Sequence, residues 1–215
     1  MSSEWSRRSV YRARTMRRRR RPLAVLVALG VVAVGLAVAH DRADGGGRVV
    51  YDRAAAAAYA DRWALSADPA AWTSKDHDCA NFVSQCVAAG GLRPLDGPAG
   101  TWRSAGRGIP SIGWLNCAAQ QRVWSSSAEN GGPYIVRVSS RLPAAWAAGD
   151  VVYLGNVVNG VAEWQHVIIC VGQRGGRWVY DSHTVAHRRK TLETWYPAHF
   201  TLIRFCRLAD ELRYR

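Results

Sequence analysis

The sequence predicts an α+β domain in which a cysteine-bearing helix packs on a small antiparallel sheet, with one apolar helix ahead of it. Three observations carry this. Asp76 to Gly91 (DHDCANFVSQCVAAGG) has the caps and the apolar spacing of a helix. Gly149–Leu154, Gln165–Val171 and Arg177–Thr184 read as strands, the last two joined by a Gly-rich turn at 172–176. Pro22 to Ala39 is an uninterrupted uncharged apolar run.

In chain order, residues 1–21 hold nine Arg and one Glu, so most of the net charge of +13 sits there. The 176 residues after Ala39 carry only +5, which needs no nucleic acid to explain it and suits weak attraction to an anionic polymer. Residues 22–39 form a helix of about 27 Å, just enough to span a bilayer. Arginines before it and few after it predict the N-terminus inside and the body outside. Ala37-Val38-Ala39 also reads as a signal cleavage site, so the segment is either a membrane anchor or a signal removed after Ala39, and Arg20-Arg21 permits a twin-arginine signal. Both alternatives make the body extracytoplasmic. Residues 40–48 are a polar, Gly-rich tether, residues 49–208 the folded domain, and residues 209–215 a C-terminal tail.

Tyr51 to Leu65 (YDRAAAAAYADRWAL) is an Ala-rich packing helix with Tyr51, Tyr59 and Trp63 along one drifting face. In the next helix, Asp76 or Asp78 is the N-cap, Phe82, Val83, Cys86 and Val87 form the buried side, and Gly90-Gly91 is the stop. Cys79 falls in the first turn, where free backbone N–H groups and the helix dipole stabilise a thiolate. That is where a nucleophile belongs, although the same spacing also fits a buried structural cysteine.

A nucleophilic cysteine needs a base, and His166, at the start of the second strand, is the candidate. A turn centred near residue 174 places residue 182, give or take one, opposite it, bringing Asp181, Ser182 and His183 within reach. Asp181 or His183 would fix the imidazole tautomer best. The N–H of Cys79 would be one oxyanion donor. With Cys79 as a free thiol, Cys86, Cys117, Cys170 and Cys206 allow up to two disulfides, with buried free thiols the alternative for Cys86 and Cys170. No C-x-x-C or H-E-x-x-H pattern supports a metal, and His183 with His187 is a weak pair for one. No cofactor is called for. Residues 97–113 read as a Gly-rich loop, Trp114–Trp124 as a helix and Phe200–Leu208 as a closing strand.

The blocks YDRAAAAAYADRWAL, DCANFVSQCVAAGG, GDVVYL, QHVIICV and YDSHT, in this order over roughly residues 49–206, resemble the putative amidase domain, the sixth family of that name, grouped with the NlpC-type and CHAP-type papain-like cysteine hydrolases. The resemblance implies a papain-like fold and amide hydrolysis through a thioester, with Cys79 as nucleophile, His166 as base and His183 as the third polar residue. Ala80 departs from the family's usual Thr, and the stretch from Arg93 to Ala148 matches loosely. With an extracytoplasmic body, the implied substrate is peptidoglycan. The competing classes are a wall-binding module of this fold without catalysis, and a membrane or nucleic-acid function of the arginine block. An acyltransferase using the same Cys–His pair is a variant of the first reading.

Overall fold

The structure is a computed structural model that describes residues 47–73, 77–106, 108–126 and 132–214. The Arg-rich block, the apolar segment 22–39, most of the tether and Asp76 lie outside the described residues. Among the described residues no helix is long and apolar enough to cross a membrane.

Chain order is β1 (Arg48–Val50), α1 (Arg53–Trp63), α2 (Cys79–Ala89), β2 (Leu95–Gly97), β3 (Gly100–Trp102), α3 (Ile112–Leu115), α4 (Cys117–Ser125), β4 (Ile135–Ser139), β5 (Val151–Val158), β6 (Val161–Arg174), β7 (Arg177–Ser182), β8 (His187–Lys190), a single 3-10 turn at Leu192–Thr194, β9 (Leu202–Leu208) and β10 (Glu211–Arg213). The main sheet has the order β4-β9-β5-β6-β7-β8, antiparallel throughout. Helices and an antiparallel sheet agree with the α+β expectation.

The sheet is buried on both faces. Val151, Tyr153, Val167 and Ile169 pack with Phe82, Val83, Cys86 and Val87 of α2, while Val152, Leu154, Ile168 and Cys170 pack with Trp146, Trp195 and Phe205. Alternate residues of a strand point to opposite faces, so GDVVYL and QHVIIC read as continuous apolar runs rather than alternating ones.

α1 starts where Asp52 accepts from the Ala55 N–H. It packs through Ala56, Ala57, Ala60 and Ala64, small side chains that allow close approach, while Tyr59 and Trp63 stay half-buried at its flank. The aromatic stripe packs on the core as expected, with Tyr51 buried in it and Tyr59 and Trp63 against its edge, beside the alanine face. Gly90 closes α2 and Gly91 follows at φ 90°; a side chain on Gly90 would strike the Tyr51 ring. The helix expected at 114–124 is two helices, because the Asn116 side chain leaves the first to cap α4 through the Ala119 N–H. The loop 97–113 contains the β2–β3 hairpin's return strand. Residues 209–215, expected as a tail, instead supply β10, which pairs with β1, and Tyr214, which is buried against Tyr134.

Arg53 and Asp150 tie this frame together. Asp150 is fully buried; it accepts from Arg53 at 2.6 Å, from the Leu208 N–H at 2.9 Å and from the Ala147 N–H at 3.0 Å. Arg53 also donates to the carbonyls of Ala148 and Leu208 and to Asp210. Every bond of the buried carboxylate is charge-assisted, which offsets its desolvation.

Candidate active site

Cys79 is the first residue of α2 and is 3% exposed. Its Sγ lies 3.5 Å from Sγ of Cys117, the first residue of α4, and 4.0 Å from the carbonyl oxygen of Gln165. The Cys79 thiol is held well below the ordinary thiol range. The S–H of Cys117 stabilises the thiolate most, burial opposes it, and the His166 imidazole and the Val167 N–H add to the stabilisation. Cys117 is pushed up in turn, by its bond to Cys79 and by burial, so it keeps its proton and donates it. Burial pushes Cys86 well up and Cys170 and Cys206 up to about 12. Only Cys79, among the five thiols, is shifted toward the nucleophilic form. All five are free thiols in this structure, the alternative allowed above for Cys86 and Cys170.

The strand that carries His166 beside the thiol is bulged. Leu154 pairs with His166 but Gly155 pairs with Trp164, leaving Gln165 as an extra residue. Gly155 is required there, since a Cβ on it would collide with the Glu163 backbone carbonyl. The glycine after GDVVYL was the signal for this bulge in the sequence. The His166 ring stacks on Phe200, centroids 5.8 Å apart, and sits near Trp195 at 6.4 Å. Its Nε2 is buried and has no hydrogen-bond partner among the described residues.

None of the three residues expected to orient His166 is placed to do so. The β6–β7 turn is the pair Gly175-Gly176, both at positive φ, and a second bulge falls near Gly172. The register therefore pairs Ile169 with Asp181 and Cys170 with Tyr180. Asp181 stands beside Ile169, an odd number of residues from His166, and so on the opposite face of the sheet. Its Oδ1 accepts from the Arg189 N–H at 2.5 Å, Oδ2 has no partner among the described residues, and burial pushes the carboxyl up to about 6. Ser182 donates to the Val185 carbonyl.

His183 joins α1 to α2 instead. Its Nδ1–H donates to Asp78 Oδ2 and its Nε2–H to the Trp63 carbonyl, both at 2.8 Å, and its ring stacks on Phe82 with centroids 4.0 Å apart. With its carboxylate turned to His183 and Asn81, Asp78 stands at the N-cap position without capping by its side chain. The Cys79 N–H donates to Thr184 Oγ1 at 3.1 Å, so the expected oxyanion donor is occupied in this structure. Thr184 makes this bond at φ 78°, a strained conformation for a β-branched residue. His187 turns to Trp195, edge on at 5.2 Å, and its pairing with His183 for a metal is absent. No group of three or more metal-ligating side chains occurs among the described residues.

The remaining polar residues of D-C-A-N-F-V-S-Q hold α2 in place. Buried Asn81 donates to the Trp72 carbonyl and to Asp78 and accepts from Trp114 Nε1. Buried Ser84 accepts from Trp102 Nε1 at 2.8 Å and Gln120 Nε2 at 2.7 Å and donates to the Trp114 carbonyl at 3.0 Å, using its full capacity. Gln85 donates to the Trp72 carbonyl and accepts from Tyr59. Trp102, Trp114 and Trp124 are thus core residues, with Trp102 and Trp114 stacked at 4.7 Å.

The arrangement is a buried thiol, shifted toward the thiolate, at a helix N-terminus with an imidazole beside it, a combination suited to covalent acyl transfer. No curated protein and no solved structure matches the chain. Residues 50–202 match the family model of the putative amidase domain, and the chain belongs to that family of amidase-like hydrolases.

Proposed function

We propose that the domain is an extracytoplasmic, cysteine-dependent amide hydrolase of the papain-like type, cutting peptide or sugar–peptide amides of peptidoglycan. The observation that carries the reading is the depressed Cys79 thiol at the start of α2 with His166 beside it. The thiolate attacks the amide carbonyl, and the electron pair moves to oxygen. Collapse expels the amine, which takes its proton from the His166 imidazolium, leaving a thioester on Cys79. His166 then removes a proton from water, and hydroxide attack releases the acid and the thiolate. Thr184 must yield the Cys79 N–H if that group is to hold the oxyanion. The substrate class rests on family membership together with the export reading of residues 22–39, which also supplies the tie to the membrane if the segment is retained.

A second reading, a wall-binding module without catalysis, is favoured by the occupied Cys79 N–H and the unpartnered His166 Nε2. The test is mass spectrometry of products from purified cell walls and muropeptides incubated with the full chain or with Cys79→Ala. New amine ends with the wild type alone establish hydrolysis and name the bond. Wall binding by both proteins with no new ends from either establishes the second reading.

A further inference from the structure

Cys79 and Cys117 are 38 residues apart in sequence and come from different helices, yet their sulfurs touch at 3.5 Å. Each occupies the first position of its helix, α2 or α4, where side chains project past the helix end. Both are nearly inaccessible, at 3% and 5% exposure, so the oxidant considered is a small one. Among the described residues no other cysteine sulfur contacts either one. Bringing the sulfurs to the bonded distance of about 2.05 Å takes a shift of about 1.5 Å, within reach of side-chain rotation at two helix ends.

From this contact we propose that Cys117 is a resolving cysteine, which converts an oxidised Cys79 into a reversible Cys79–Cys117 disulfide and so makes the nucleophile redox-switched. The inference rests on Cys79 being the nucleophile. The oxidant named is hydrogen peroxide. The Cys79 thiolate attacks one peroxide oxygen, the O–O bond breaks, hydroxide leaves and Cys79 becomes a sulfenic acid, sulfur having lost two electrons. The Cys117 sulfur then attacks the Cys79 sulfur and displaces hydroxide, which takes the Cys117 proton and leaves as water. Two thiols and one peroxide thereby give one disulfide and two waters. The depressed Cys79 thiol makes it the first sulfur to react, and Cys117, which keeps its proton, the second. While the bond stands the site has no thiolate; a dithiol reductant restores it. Without Cys117 the sulfenic acid would go on to sulfinic acid, which dithiothreitol does not reverse.

The experiment treats the full chain, purified reduced in detergent, with hydrogen peroxide, then alkylates, digests without reductant and maps the cysteines by mass. Expected is a loss of about 2 Da, a cross-linked pair of peptides containing Cys79 and Cys117, and at least about tenfold less alkylation at both, restored by dithiothreitol. In Cys117→Ala the same treatment should leave Cys79 heavier by about 32 Da and unrestored. Cys79 sulfinic acid in the wild type with Cys117 still alkylated, or Cys117 cross-linked to Cys86, Cys170 or Cys206, overturns the proposal. If Cys117→Ala does not fold, the wild-type map decides alone. The cross-link is read by mass and not by turnover, so its absence counts against the switch, whereas absent hydrolysis by the reduced chain counts against the enzyme.

Discussion

Replacing His183 by Ala removes the side chain that joins the end of α1, the residue before the nucleophile and the Phe82 ring. Two bonds of 2.8 Å are lost. A hydrogen bond to a carboxylate contributes about 1.5–3 kcal/mol and one to a neutral carbonyl about 0.5–1.5 kcal/mol. Asp78 and His183 are 14% and 13% exposed and Asp78 keeps Asn81, so the lower halves of these ranges apply. The lost stacking on Phe82 adds about 1 kcal/mol. The expected loss is about 3–4 kcal/mol, a fall in Tm of roughly 6–16 °C for a domain of this size. Thermal unfolding followed by circular dichroism gives the first number, and kcat and KM on a soluble amide, taken well below Tm, give the second. We expect kcat to fall less than about tenfold. An unchanged Tm with kcat reduced by about 10² or more and an altered acid limb of the pH profile would show that His183 serves His166 after all, and refute the assignment.

Asp181→Asn should stabilise the protein above pH 6. The buried carboxyl is pushed up to about 6, so the folded state binds its proton more tightly than the unfolded state, and the stability this gives is complete below about pH 4 and lost as pH rises through 6. The variant, uncharged throughout, should gain up to about 1–3 kcal/mol at pH 8 and nothing at pH 4; a lower Tm than wild type at pH 8 counts against this. Gly155→Ala forces the β5–β6 bulge open against Glu163 and should cost about 1–3 kcal/mol in urea unfolding while lowering kcat more than it raises KM. Wild-type stability and rate would dissociate the bulge from His166. Ser84→Ala strands Trp102 Nε1 and the Trp114 carbonyl in the core, and a loss of about 2–5 kcal/mol is expected; less than about 1 kcal/mol would contradict the network.

The nucleophile helix was legible because its signals are local. The run of apolar residues from Phe82 to Val87 and the Gly90-Gly91 stop all lie within the sixteen residues that define it. The polar members of the same block were not legible as structural residues, because Asn81 and Ser84 find their partners in Trp72, Trp102, Trp114 and Gln120, across the loosely matching loop region. Cys117 was invisible for the same reason: nothing at the start of α4 announces a contact with a sulfur 38 residues away. The strand content was readable but its register was not. A turn centred at 174 instead of between Gly175 and Gly176 puts the register three residues out, which the bulge near Gly172 reduces to two, and so brings Asp181 and His183 closer to His166 than they are. Since strand faces alternate at every residue, a shift of one position turns every side chain to the other face, and a shift of two keeps the face but changes every cross-strand partner.

Whether Cys79 is a thiolate nucleophile set by Cys117 and His166 is measured most directly by the rate of its alkylation by iodoacetamide as a function of pH, read residue by residue by mass spectrometry. Cys79 alone should titrate well below the ordinary thiol range, and its midpoint should move up in Cys117→Ala and in His166→Ala. A Cys79 that titrates with Cys86, Cys170 and Cys206 at or above the ordinary range, unmoved by either substitution, would contradict that role.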